Sequence, residues 1–86
     1  MFTILQKNFG GRVTHRYFRD WDNAKAEMNK DIADCCKSLG GKVIKTYDYF
    51  NREKGFYVYE KVAHFTNREY CRWALLDGYF EDKPND

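Results

Sequence analysis

The sequence predicts a two-layer α+β domain: a four-stranded antiparallel sheet of two β-hairpins with two helices on one face, in the order β-β-α-β-β-α. Three observations carry this. A Gly10-Gly11 pair divides two runs of strand character, a 19-residue stretch repeats apolar residues at helical spacing, and two runs rich in Val, Ile, Thr, Tyr and Phe flank the polar segment 51–55. Eighty-six residues make a single domain, expected over 1–80 with a flexible tail at 81–86. A chain of this size buries roughly 60 to 65% of the surface that its unfolded form exposes.

Residues 2–9 and 12–19 read as strands, because Gly10-Gly11 supplies the positive φ angles that a two-residue hairpin turn demands. That turn pairs Ile4 with Tyr17 and Leu5 with Arg16. Phe2, Ile4, Val13 and Tyr17, with Gln6 and His15, form the expected core face, leaving Leu5, Lys7, Phe9, Arg12, Thr14, Arg16 and Phe18 outward. Asp20 is a good N-cap, since its carboxylate accepts free amide hydrogens of the next turn and suits the positive end of the helix dipole. A helix over 21–39 follows, with Trp21, Ala24, Met28, Ile32, Cys35, Cys36 and Leu39 on one side and Gly40-Gly41 to end it.

The second hairpin is expected over 42–65. With a five-residue loop at 51–55, Tyr49 lies opposite Tyr57, Tyr47 opposite Tyr59 and Lys45 opposite Lys61, which puts four tyrosines and two lysines on one face. Ile44, Phe50, Phe56, Val58 and Val62, with Thr46, Asp48 and Glu60, take the other and better core face. Thr66 and Glu69 have the spacing of a capping box, so a second helix is expected over about 67–77, apolar over a wide arc and stopped by Gly78. Tyr79-Phe80 would then fold back onto the core.

Composition narrows the function. Two Trp, seven Tyr and seven Phe are more aromatic surface than so small a core hides, and exposed ring clusters mark partner surfaces. Fifteen basic against thirteen acidic side chains leave a net charge of +2, too small to steer the protein strongly to nucleic acid or an anionic membrane. Three cysteines, two of them adjacent, fit no secreted disulfide framework, and a reducing cytoplasm is the expected location. Neither a signal peptide nor a membrane span is expected, because no apolar run approaches 18 residues.

No converging set of titratable residues forms a catalytic motif. His15 and His64 lie in strand patterns without an adjacent acid or nucleophile, and vicinal Cys35-Cys36 point about 100° apart on a helix, unsuited to one metal ion. The glycine pairs are turn and cap residues, misplaced for a phosphate loop. The expectation is a protein that is not an enzyme, with no catalytic residue, metal or cofactor. Its candidate partner-binding residues are Tyr47, Tyr49, Tyr57, Tyr59, Lys45 and Lys61, joined on the open sheet face by Arg12 and Arg16. Such a face suits a protein interface rich in ring contacts, and the alternative is a nucleic-acid or nucleotide site in which rings stack on bases and cations meet phosphates. Self-association is a further option, and no membrane partner is expected.

The opening layout, with Gly10-Gly11, Thr14-His15-Arg16-Tyr17-Phe18, Asp20-Trp21 and residues 24–28, resembles small proteins of phages and mobile elements of Gram-positive gut bacteria. The resemblance covers about the first half of the chain and carries no functional motif. What it implies is a compact accessory protein, of a class some of whose members inhibit a host defence complex by occupying a protein surface or sequestering a nucleotide signal.

Overall fold

Gly10 and Gly11 both adopt positive φ, 57° and 92°, and close a two-residue turn between β1 (Thr3–Phe9) and β2 (Arg12–Phe18). The register is the expected one, Ile4 with Tyr17 and Leu5 with Arg16. In the computed structural model, which describes residues 2–77, the helix α1 spans Trp21–Leu39. Asp20 caps it through Oδ1, which accepts the Asn23 amide hydrogen at 2.7 Å, while the Asn23 side-chain amide donates to Oδ2 at 2.8 Å. Gly40 ends it in the left-handed conformation (φ 65°), its N–H donating to Cys36 O.

The second hairpin pairs β3 (Gly41–Asn51) with β4 (Phe56–Phe65), but its loop is four residues long. Asn51 belongs to the ladder, opposite Phe56, while its side chain accepts from Lys54 N–H at 3.1 Å. The expected register is therefore corrected by one residue: Tyr49 faces Val58, Tyr47 faces Glu60 and Lys45 faces Val62. A one-residue slip exchanges the faces of one strand relative to the other, so the four tyrosines do not share a face. A bulge between Val43 and Lys45 sets Lys42 and Lys45 opposite His64 and Val62.

The largest correction concerns 67–77. No second helix forms among the described residues: Tyr70–Asp77 is β5, and it lies between β1 and β4 in a five-stranded antiparallel sheet of order β2-β1-β5-β4-β3. Trp73, Ala74 and Leu75 are buried on alternate faces of the sheet, and a short run apolar on both faces imitates the wide apolar arc of a buried helix. Thr66 caps a different helix from the one expected. Its hydroxyl donates to Leu39 O and its N–H to Gly40 O, both at 3.0 Å, satisfying carbonyls at the C-terminal end of α1. The 66–69 segment is a tight connection in which Arg68 has φ 71° and Phe65 N–H donates to Glu69 O. The stop at Gly78, the fold-back of Tyr79-Phe80 and the tail at 81–86 lie outside the described residues.

α1 packs on one sheet face only. Ala24, Met28 and Ile32 meet Leu5, Ala63, Phe65, Cys71, Trp73 and Leu75, and Phe9 stacks on Phe65 with ring centroids 5.6 Å apart. Leu5, Lys7 and Phe9 therefore point to the helix, together with Arg12, Thr14, Arg16 and Phe18 across from them, the reverse of the expected assignment for the first hairpin. The other face has its own buried apolar strip of Ile4, Phe56, Val58, Val62 and Ala74.

Candidate interaction surface

Pairing register lays the face opposite α1 out as a grid. One row runs Tyr17, Ile4, Leu76, Val58, Tyr49; the next His15, Gln6, Ala74, Glu60, Tyr47; the third Val13, Asn8, Arg72, Val62, Lys45; and the last Tyr70, His64, Lys42. Its interior is closed, with Ile4 and Val58 only 4% and 3% exposed. Its accessible part is the β3 side and the β4–β5 corner, where Tyr47, Tyr49 and Tyr70 are 40%, 46% and 43% exposed. A shallow depression of about 380 Å³ lies there, between Lys45, Tyr47, His64, Tyr70 and Arg72. A second hollow of about 400 Å³, lined by Gly40, Lys42, Phe65 and Thr66, adjoins it at His64. Arg72 Nε donates to Glu60 Oε2 at 2.8 Å, and the His64 and Tyr70 rings lie 6.3 Å apart.

Of the eight residues nominated from the sequence, Tyr47, Tyr49 and Lys45 come together here. The other five are on the helix side. Trp21 meets the edges of Tyr57 and Tyr59 at 5.5 and 6.2 Å, and Lys25 and Lys61 flank the Tyr59 ring at 5.0 and 5.6 Å. Arg16 reaches Glu27 at 3.7 Å and covers Phe18 at 5.6 Å, while Arg12 stands across from Phe9. Sequence reasoning missed Tyr70, Arg72, His64 and Lys42. The signal for the first two was the alternation of Tyr70 and Arg72 with Cys71 and Trp73, which is strand period.

The side chains of residues 42–50 have a property shared by no other long stretch of the sheet. Among the described residues, none of them makes a hydrogen bond, an ion pair or a ring contact, and all nine are exposed.

A separate polar cluster lies between helix and sheet. Lys7 Nζ donates to Asp31 Oδ2 at 2.8 Å, the buried indole N–H of Trp73 donates to the same oxygen at 2.8 Å, and Lys7 also lies 3.6 Å from Cys35 Sγ. Burial works against the charge on Lys7, but the hydrogen bond and charge of Asp31 outweigh it and hold the amine above its ordinary value. Burial likewise opposes the Asp31 carboxylate, and the hydrogen bonds from Lys7 and Trp73 overcome it, so this carboxyl sits below its ordinary range. Burial pushes the Cys35 thiol up, reinforced by Asp31, and pushes Cys71 up to about 12. Both thiols are held neutral, the opposite of an activated nucleophile. The cluster ties α1 to β1 and β5.

Among the described residues no three His, Cys, Asp or Glu side chains are grouped to hold a metal ion, and no helix is long and apolar enough to cross a membrane. No protein-family model matches the chain, and comparison with curated proteins and with solved structures gave no match.

Proposed function

We propose that this protein is a small non-catalytic binding module that engages a protein partner through β3 and the exposed corner of the sheet face opposite α1. The observation that carries the reading is the nine-residue stretch 42–50, exposed throughout and with no side-chain partner among the described residues, which holds Tyr47 and Tyr49. Interfaces concentrate their energy in tyrosine, tryptophan and arginine contacts that become desolvated, and this corner supplies three tyrosines and Arg72. The three free cysteines are consistent with a reducing cytoplasm. That the partner is a host defence complex rests on the sequence resemblance alone.

One observation favours a second reading. Lys42, Lys45, His64 and Arg72 group beside Tyr47 and Tyr70, as a nucleotide or single-stranded nucleic acid would require. Against it, Arg72 is already paired with Glu60 and the rows beyond are nearly neutral, leaving no cationic track for a phosphate backbone. Affinity capture from lysate, with and without nuclease, separates the two. A captured protein should survive nuclease and moderate salt and be lost with the Tyr47→Ala, Tyr49→Ala double variant. Nuclease-sensitive capture, or an affinity falling steeply with salt, would instead establish the nucleic-acid reading.

A further inference from the structure

Antiparallel pairing uses the N–H and C=O groups of every second residue, so a strand with one neighbour turns the alternate set outward, unpaired. Among the described residues the sheet has two such edges, β2 and β3. Along β2, His15 and Arg16 are engaged within the fold, Arg16 with Glu27 and His15 Nε2 with Gln6 at 3.1 Å. β3 is four residues longer than β2 and its segment 42–50 has no such engagement. No backbone hydrogen bond beyond the β3–β4 ladder involves 42–50 among the described residues.

The side chains beside this edge are ordered by charge. On the face opposite α1, β3 presents Lys42 and Lys45, with the bulged Ile44 beside Lys45, then Tyr47 and Tyr49. The bulge brings the two lysines opposite His64 and Val62, which are two residues apart on a regular strand, so an added regular strand would meet them at alternate positions as well. The one acidic side chain in the neighbouring rows of that face, Glu60, is occupied by Arg72. A second copy does not supply the missing charge. Its β3 would join antiparallel about an axis perpendicular to the sheet, which keeps faces together, and its carboxylate Asp48 lies on the opposite face from Lys45.

We propose that β3 is a docking edge for an extended acidic segment of a partner protein, which joins the sheet as a sixth strand with carboxylates against Lys42 and Lys45 and apolar side chains against Tyr47 and Tyr49. This rests on the protein-binding reading and adds its mode and the chemistry of the partner. Backbone pairing supplies affinity in such strand addition, and alternate side chains supply specificity.

The test uses labelled nine-residue peptides and fluorescence anisotropy. The probe has threonine at odd positions and Glu, Glu, Val and Phe at the even ones, presented in both chain directions; a second probe has lysine in place of glutamate. Two further versions carry N-methyl groups on alternate residues in the two opposite phases. The acidic probe should bind at least about tenfold tighter than the basic one, a preference that Lys42→Glu with Lys45→Glu reverses. One methylation phase should abolish binding and the other leave it nearly unchanged. Equal binding of acidic and basic probes, indifference to both methylation phases, or no binding of either direction overturns the proposal. So does a concentration-dependent dimer in sedimentation that is lost with Tyr47→Lys, which assigns the edge to a second copy. Tyr47- and Tyr49-dependent capture of a protein alongside any of these negative peptide results leaves the binding-module reading standing and removes only strand addition.

Discussion

Replacing Asp31 by alanine tests whether the polar cluster between helix and sheet holds the fold through charge or through one buried hydrogen bond. Trp73 is fully buried and its indole N–H donates to Asp31 Oδ2 at 2.8 Å, so removing the acceptor leaves that donor unsatisfied, at about 1 to 3 kcal/mol. The Lys7 pair adds less. Its side chains are 28% and 31% exposed, close to the regime in which ion pairs contribute about 0.2 to 1 kcal/mol. Alanine's better helix propensity returns about 0.5 kcal/mol, for a net loss of about 1 to 3 kcal/mol. Asp31→Asn keeps a carbonyl acceptor for the indole and Lys7→Met keeps the carboxylate, so each should cost about 1 kcal/mol or less. Urea titrations followed by circular dichroism at neutral pH rank the three. If Asp31→Ala is no more costly than Lys7→Met, the buried hydrogen bond is not what matters and the reasoning fails. The pH dependence has a definite sign. The folded Asp31 carboxyl lies below its ordinary value of 3.8, so its contribution is present above that value and is lost as pH falls through the lower folded one. Lys7 lies above 10.5, so its share is full below that value and disappears as pH rises through the higher folded one. The stability gap between the wild type and Asp31→Asn should therefore close in acid.

Asp20→Ala should cost about 1 kcal/mol in the same titrations, because the Asn23 amide hydrogen loses its acceptor. At Gly41 a Cβ would meet the Phe65 ring and stand 2.7 Å from His64 O, so Gly41→Ala should cost about 1 to 3 kcal/mol and shift the start of the β3–β4 pairing, visible in amide hydrogen exchange of Thr66, whose N–H donates to Gly40 O. Tyr47→Ala and Tyr49→Ala should each lower stability by under about 1 kcal/mol, whereas Val58→Ala, at a site 3% exposed, should cost about 2 kcal/mol; equal losses would place the tyrosines in the core.

The helix was legible to the residue because its signals are local: Asp20, the apolar spacing and Gly40 each act within a turn of where they stand. The first hairpin's register was legible for the same reason, through Gly10-Gly11. Which face of that hairpin meets the helix was not. Ile4 and Leu5 are both buried, at 4% and 3%, so alternation along β1 held no preference. Asn51 looks like a loop residue and does serve the turn with its side chain, yet its backbone stays in the ladder. That single residue moved Tyr57, Tyr59 and Lys61 to the helix face and left Tyr47, Tyr49 and Lys45 as the legible part of the surface. β5 was half hidden: Tyr70 and Arg72 alternate with Cys71 and Trp73 at strand period, but the apolar run 73–76 reads equally as a buried helix until β1 and β4 lie on its two sides, and neither neighbour is local information.

The place of β5 also governs the order in which the molecule is able to assemble. β4 and β5 are joined by a short connection, but β1 reaches the sheet only by pairing with β5, where Thr3 meets Asp77 across nearly the whole described chain. During synthesis the β1–β2 hairpin therefore emerges first and has no sheet to join until residues 70–77 have left the ribosome. Until then Leu5 and Phe9 have α1 to pack on but lack Cys71, Trp73 and Leu75, which complete the same cluster. Closure of so long a loop is entropically late and kinetically slow.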